Sequence, residues 1–189
     1  MPDKSQTDLR QYIKVYQRFL SHPVREIRSL PDWSWRELFF NQVALTSATG
    51  AIAGFLKTSI LSVAQGMIVV PVITSVTILV GSLFFYFLFQ IMAGQTLPFR
   101  KLIELMFFAN IPFFIFQTVA YFFPPISLFG LAMSAMLLIV GFVENFQLER
   151  KIVIRTIVGV YALFILVWLW SRIEALRFES KIDRSIDSP

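Results

Sequence analysis

The sequence predicts an all-α integral membrane bundle of five transmembrane helices, preceded by an amphipathic interfacial helix. Three observations carry this. The 189 residues are 56% hydrophobic and 15% charged, with a mean hydropathy of +0.67, far from the composition of soluble domains. The charges cluster at the ends and in short gaps between apolar runs, the pattern of a multispanning chain. Residues 105–143 then form 39 consecutive positions without a charge, with Pro124-Pro125 near the middle. As one helix that run would extend roughly 58 Å, about twice the hydrocarbon thickness of a bilayer. A Pro pair removes two donors and clashes with the preceding turn. The run therefore reads as a hairpin of two spans, with both charged flanks on one side of the membrane.

Residues 1–35 read as a cytosolic segment, 36–171 as the membrane domain and 172–189 as a polar tail. The first long apolar run begins only after a polar, charged N-terminal stretch, so no cleavable signal peptide is expected and the first span inserts itself. Leu9, Tyr12, Ile13, Tyr16, Phe19 and Leu20 recur at helical spacing. Arg10, Lys14 and Arg18 form a basic stripe on another face, as in helices that contact anionic lipid headgroups. The competing reading packs this helix on the protein's own cytosolic end. Beyond His22-Pro23 comes a second short amphipathic piece, and then Trp33 and Trp35, which are expected at headgroup level.

The first span covers about 36–56, the second 67–92, the third 102–123, the fourth 126–143 and the fifth 152–170. Ala44, Ser47, Gly50, Ala51 and Gly54 give the first span a small-residue face, and such faces let two helix backbones approach closely. Packing within the monomer is the simpler use, and a homo-oligomer the other. Residues 58–66 read as a loop or a frayed end. Pro71 predicts a kink or a late start in the second span, whose segment 83–89 is expected to face lipid. In the fifth span Arg155 and Arg172 snorkel, and Trp168 and Trp170 anchor one end. With the N-terminus inside, twelve Lys and Arg lie on the cytosolic side and five outside. The positive-inside rule then favours a cytosolic N-terminus and an external C-terminus.

Chemistry is sparse. The chain has no Cys and one His, His22, and lacks H-E-x-x-H, P-loop and G-x-S-x-G signatures. No catalytic residue, metal site or cofactor is expected. The +5 net charge does not indicate nucleic acid, because the cations sit at span ends. Asn110 and Gln117 share a face of the third span. Together with Glu104, Glu144 and Asn145 they are candidates for a polar pocket open to the cytosol, since intramembrane acids are functional hypotheses by default. The bland alternative is a set of structural salt bridges at the interface.

Gly94, Phe99, Leu102, Phe108-Ala109 and Pro112, with Gly141, Glu144, Leu148 and Arg150-Lys151, form a pattern. It resembles the Yip-one domain family over roughly residues 19–170. His22-Pro23 and Trp35 are similar to the start of bacterial members. The chain departs from many of these at Asn145, where a His is frequent, and at Ser134, where a Trp is common. The resemblance implies a multipass protein with a cytosolic N-terminal region. Eukaryotic relatives bind Rab GTPases and shape membranes. The expected function is therefore that of a membrane-embedded interaction or organising protein with lipid and membrane-protein partners. It would sit in a bacterial cytoplasmic membrane, or in the ER or Golgi of a eukaryote. A small-solute or ion permease subunit built on the acidic pocket is the alternative.

Overall fold

The computed structural model describes residues 4–56, 60–120 and 122–186, the side chains of residues 4–9, 168, 171–173 and 175–186 excepted. The order is α1 (Lys4–Ser21), α2 (Pro23–Glu26), α3 (Trp35–Phe55), α4 (Ile60–Ala93), α5 (Phe99–Val119), α6 (Ile126–Phe146) and α7 (Arg150–Ile186). The described residues form no strand. Among them α3, α4, α5 and α6 are long and apolar enough to cross a membrane. The chain is thus an all-helical integral membrane protein. The sequence places a fifth apolar stretch inside α7.

Consecutive helices run up and down. The first turns of α3, α5 and α7 gather at one end with the last turns of α4 and α6, and α1 and α2 cover that end. A hairpin forms around Pro124-Pro125, with α6 beginning at Ile126 as expected, but α5 stops at Val119 and not at residue 123, so the connection is longer than the Pro pair. Gly94, at φ +65°, turns the chain between α4 and α5 in a conformation that suits glycine. The core is built on α5 and α6, where Leu105, Phe107, Phe108, Ile111, Leu137, Leu138 and Phe142 are buried.

Several boundaries and faces differ from the sequence expectation, each for a packing reason. α4 starts at Ile60 rather than near residue 67. Its first turns are held against the glycine face of α3. A Cβ at Gly50 would lie 2.2 Å from the Gly66 carbonyl oxygen, and one at Gly54 would lie 2.4 Å from the Ser62 oxygen. The two backbones touch there. Lys57, and Thr58 and Ser59 of the expected loop, lie outside the described residues, as do the side chains of Trp168 and Arg172.

Pro71 neither delays nor ends α4. Its missing N–H frees the carbonyl four residues earlier, that of Met67. The Ser47 hydroxyl donates to that oxygen at 3.1 Å, so the neighbouring helix supplies the lost donor. Ser47 is therefore a partner to the proline as well as a small residue on the seam. Ala44 is exposed and does not belong to the seam. It sits about 120° around the helix from Gly50 at 100° per residue. The inward positions are Gln42, Thr46, Gly50 and Gly54, with Ala51 half-buried. Gln42 donates from Nε2 to Ser75 Oγ at 2.8 Å, adding a polar tie between α3 and α4.

The segment 83–89 is not uniformly turned to lipid. Phe85 and Phe89 are buried against Phe142, with ring centroids 5.4 and 4.7 Å apart, whereas Phe84 and Phe87 point outward. The helical period divides an all-apolar stretch between core and exterior.

Candidate functional site

The covered end of the bundle is assembled from the turn before α3. Ser34 caps α3: its Oγ accepts from the Glu37 N–H, and Glu37 Oε2 accepts from the Ser34 N–H at 2.7 Å. This reciprocal capping box fixes the angle at which the chain enters the helix. Trp33, just before the cap, is thereby turned inward together with Leu38 on the next turn; both are buried. The expectation that Trp33 marks the headgroups is corrected here, because its indole fills the core of the cap. Its ring lies 5.0 Å from Phe108, 5.8 Å from Tyr12 and 6.3 Å from Tyr16. Trp35, one helical step away, is 54% exposed.

α1 docks on this tryptophan. Phe19 is buried and lies 5.3 Å from Phe108. Tyr12 donates to Glu37 Oε1 at 2.9 Å and Tyr16 to Asn41 Oδ1 at 3.3 Å. Burial, and secondarily the Tyr12 phenol beside it, push the Tyr16 phenol well above its usual range. Three further ties hold α2 and the following turn. Asn145 Nδ2 donates to the Ile27 carbonyl at 2.7 Å, Arg28 approaches Glu144 at 3.9 Å, and Arg100 pairs with Asp32. A cavity of 190 Å³ remains between α1, α2 and α5, with Arg18, Phe19, Glu26 and Phe108 in its walls.

With Tyr12, Tyr16 and Phe19 committed to the bundle, the opposite side of α1 carries Arg10 and Lys14, with Arg18 at its border beside the cavity, all exposed. Ile13 and Leu20 flank them, 48% and 55% exposed. One face of this helix thus packs on the protein, as the competing reading expected, and the other is basic with an apolar edge.

The five residues expected to line one polar pocket are distributed among different partners. Glu104 is fully buried, its Oε1 accepts from the Trp33 N–H at 3.4 Å, and Oε2 has no hydrogen-bond partner. Asn110 turns back on its own helix, donating to the Met106 carbonyl at 2.7 Å. Gln117 is exposed near the far end of α5, roughly 20 Å along the axis from Glu104. Glu144 faces Arg28 at the rim. Asn145 reaches α2 through Ile27 and donates to the Gly141 carbonyl at 3.0 Å. Apolar side chains fill the level between Glu104 and Asn110, so the polar groups hold the cap instead of opening a common space. Among the described residues no group of three His, Cys, Asp or Glu side chains gathers as a metal site.

Trp33 and the carbonyl of Ile27 are the parts of this cap that sequence reasoning missed. A signal for Trp33 was present: the Ser34-x-x-Glu37 box flanked by Trp33 and Leu38 marks a residue turned back onto its helix. Ile27 is buried yet touches α6 through its carbonyl, which leaves no trace in side-chain pattern.

Comparison with known families gives one match, the Yip1 domain, over residues 18–171. Curated proteins and solved structures give no match. The matched stretch begins within α1 at Arg18, so it takes in Phe19, Trp33 and the bundle, while Tyr12 and Tyr16 precede it.

Proposed function

The chain belongs to the Yip1 domain family, and on that premise we propose that it is a five-span, non-catalytic organising protein whose capped end displays a basic platform to anionic lipid and to a membrane-protein partner. α7 supplies the fifth span. The N-terminus is cytosolic and the C-terminus external, and the membrane is the cytoplasmic membrane of a bacterium.

One observation carries the reading. The cap spends its aromatic residues and its buried acid on holding α1 in place, which leaves Arg10, Lys14 and Arg18 facing outward beside Ile13 and Leu20. A docked helix with a basic, apolar-edged outer face suits the headgroup region, where each cation contributes about 1 kcal/mol of attraction to anionic lipid. A pathway for solute would need polar groups facing a shared space. Here the core between them is packed with Leu105, Phe107, Phe108 and Ile111.

The test is photo-crosslinking in cells. A photoreactive side chain at Gln17, exposed between Arg10 and Leu20, is expected to give a discrete protein adduct together with lipid adducts. Both should diminish when Arg10, Lys14 and Arg18 are replaced by Gln. A Gln17 probe that captures neither lipid nor a discrete protein, in a chain shown to be folded, would remove the platform. Solute flux through the purified chain in vesicles would replace it with a permease.

A further inference from the structure

A second basic surface lies at the first turns of α7, on the outer side of the bundle at its capped end. Arg150, Lys151, Ile154 and Arg155 line an open recess of about 520 Å³. The three cations are exposed. Among the described residues none of them has an ion-pair partner, in contrast to Arg25, Arg28 and Arg100. Spaced 0, 1, 4 and 5 along a helix, the four residues occupy one arc of about 140°. Val153, Thr156 and Ile157 are buried on the other side of the helix. Thr156 meets Met92, in the last turn of α4, at 3.6 Å. The recess therefore opens outward from the bundle at the level where α4 ends and α7 begins.

Farther along α7 the same arc becomes apolar. Val158 and Ile165 are exposed there. Gly159 has nothing within 4 Å of where a Cβ would stand, and Ala162 is small and exposed. A shallow notch thus runs from Arg155 toward the middle of the helix. Cations above an apolar notch match a molecule with an anionic phosphate head and an acyl chain. A free phosphate ion would use the cations and leave the notch bare.

We propose that the N-terminal turns of α7 bind one anionic phospholipid, with its phosphate on Arg150, Lys151 and Arg155 and one acyl chain along Gly159 and Ala162. This rests on reading α7 as a span. The site is separate from the α1 platform and takes a single lipid from the layer around the bundle.

The experiment uses the full chain in mild detergent and native mass spectrometry. Phosphatidylglycerol and phosphatidylcholine of identical chains are added in separate arms, and inorganic phosphate in a third. One phosphatidylglycerol should be retained in preference to phosphatidylcholine, and phosphate should not displace it. Replacing Arg150, Lys151 and Arg155 by Gln should weaken retention by roughly fivefold per charge removed. Gly159→Leu with Ala162→Phe fills the notch without touching a charge and should also abolish the preference for one bound lipid. Equal retention of both lipids, or retention unchanged in either variant, overturns the site. Displacement by phosphate overturns the lipid assignment. The premise is checked apart from this: the chain has no Cys, so a nitroxide at Val158→Cys in vesicles reports its surroundings alone. Contact with oxygen and not with aqueous nickel is expected, and a water-exposed label overturns the span itself.

Discussion

Gly50→Ala is a small change with a large expected cost. The new methyl carbon would stand 2.2 Å from the Gly66 oxygen and 2.7 Å from its carbonyl carbon. Ordinary contacts between such atoms are about 3.5 Å, so α3 and α4 must separate by roughly 1 Å. Both obstructing atoms are backbone, and no side-chain rotation relieves them. A gap of that size forfeits up to about half of each dispersion contact of 0.1–0.2 kcal/mol along the seam. Over some tens of atom pairs the loss is about 2–3 kcal/mol, the upper part of the range for overpacking. The matched control is Gly159→Ala, where the same atom enters open space. It should be neutral, or stabilise by up to about 1 kcal/mol through helix propensity. Thermal unfolding of both variants in one detergent should separate them, with Tm moving about 2–4 °C per kcal/mol for a chain of this size. Equal melting of Gly50→Ala and the parent would refute the contact. Normal melting with a smaller oligomer would move the face to a dimer interface.

Three further outcomes are expected. Ser47→Ala should lower stability by about 1 kcal/mol in the parent and by much less in a Pro71→Ala background, where the backbone N–H returns to the Met67 carbonyl; a double-mutant cycle with no coupling contradicts the Ser47–Met67 bond. Glu104→Ala should cost about 1–3 kcal/mol, because the Trp33 N–H loses its buried acceptor, whereas Glu104→Gln keeps an acceptor and should melt close to the parent. Tyr16 binds its proton more tightly when folded, so its contribution to stability is complete below the unfolded phenol pKa of about 10 and is lost as pH rises above it. Tyr16→Phe should flatten that alkaline decline in a melting series, and an unchanged slope contradicts the burial.

The spans were readable because a bilayer demands long uncharged runs, and the 105–143 run with its Pro pair had only one economical arrangement. The orientation of apolar residues within a span was less readable. In lipid an apolar side chain is content on either face, so the segment 83–89 carried no mark separating Phe85 and Phe89 from Phe84 and Phe87. The tie between Ser47 and the carbonyl freed by Pro71 joins residues that share no local pattern. The cap was legible in one part, the apolar and basic faces of α1, and hidden in another. Glu104 was visible as an intramembrane acid, but its partner is the backbone N–H of Trp33, and no sequence rule pairs a carboxylate with an amide 71 positions away. The pocket expectation failed for a related reason: proximity along α5 and at the end of α6 was clear, whereas the direction of each side chain was set by α2 and by Trp33.

The most direct test is a nitroxide scan of α1 in the full chain, residues 10–20, in vesicles containing anionic lipid. A docked platform should give a helical period: immobile, inaccessible labels at 12, 16 and 19, oxygen-accessible labels at 13 and 20, and water-accessible labels at 10 and 14. Uniform mobility and accessibility across the scan would contradict it, because α1 would then be detached from Trp33 and the capped end would display nothing.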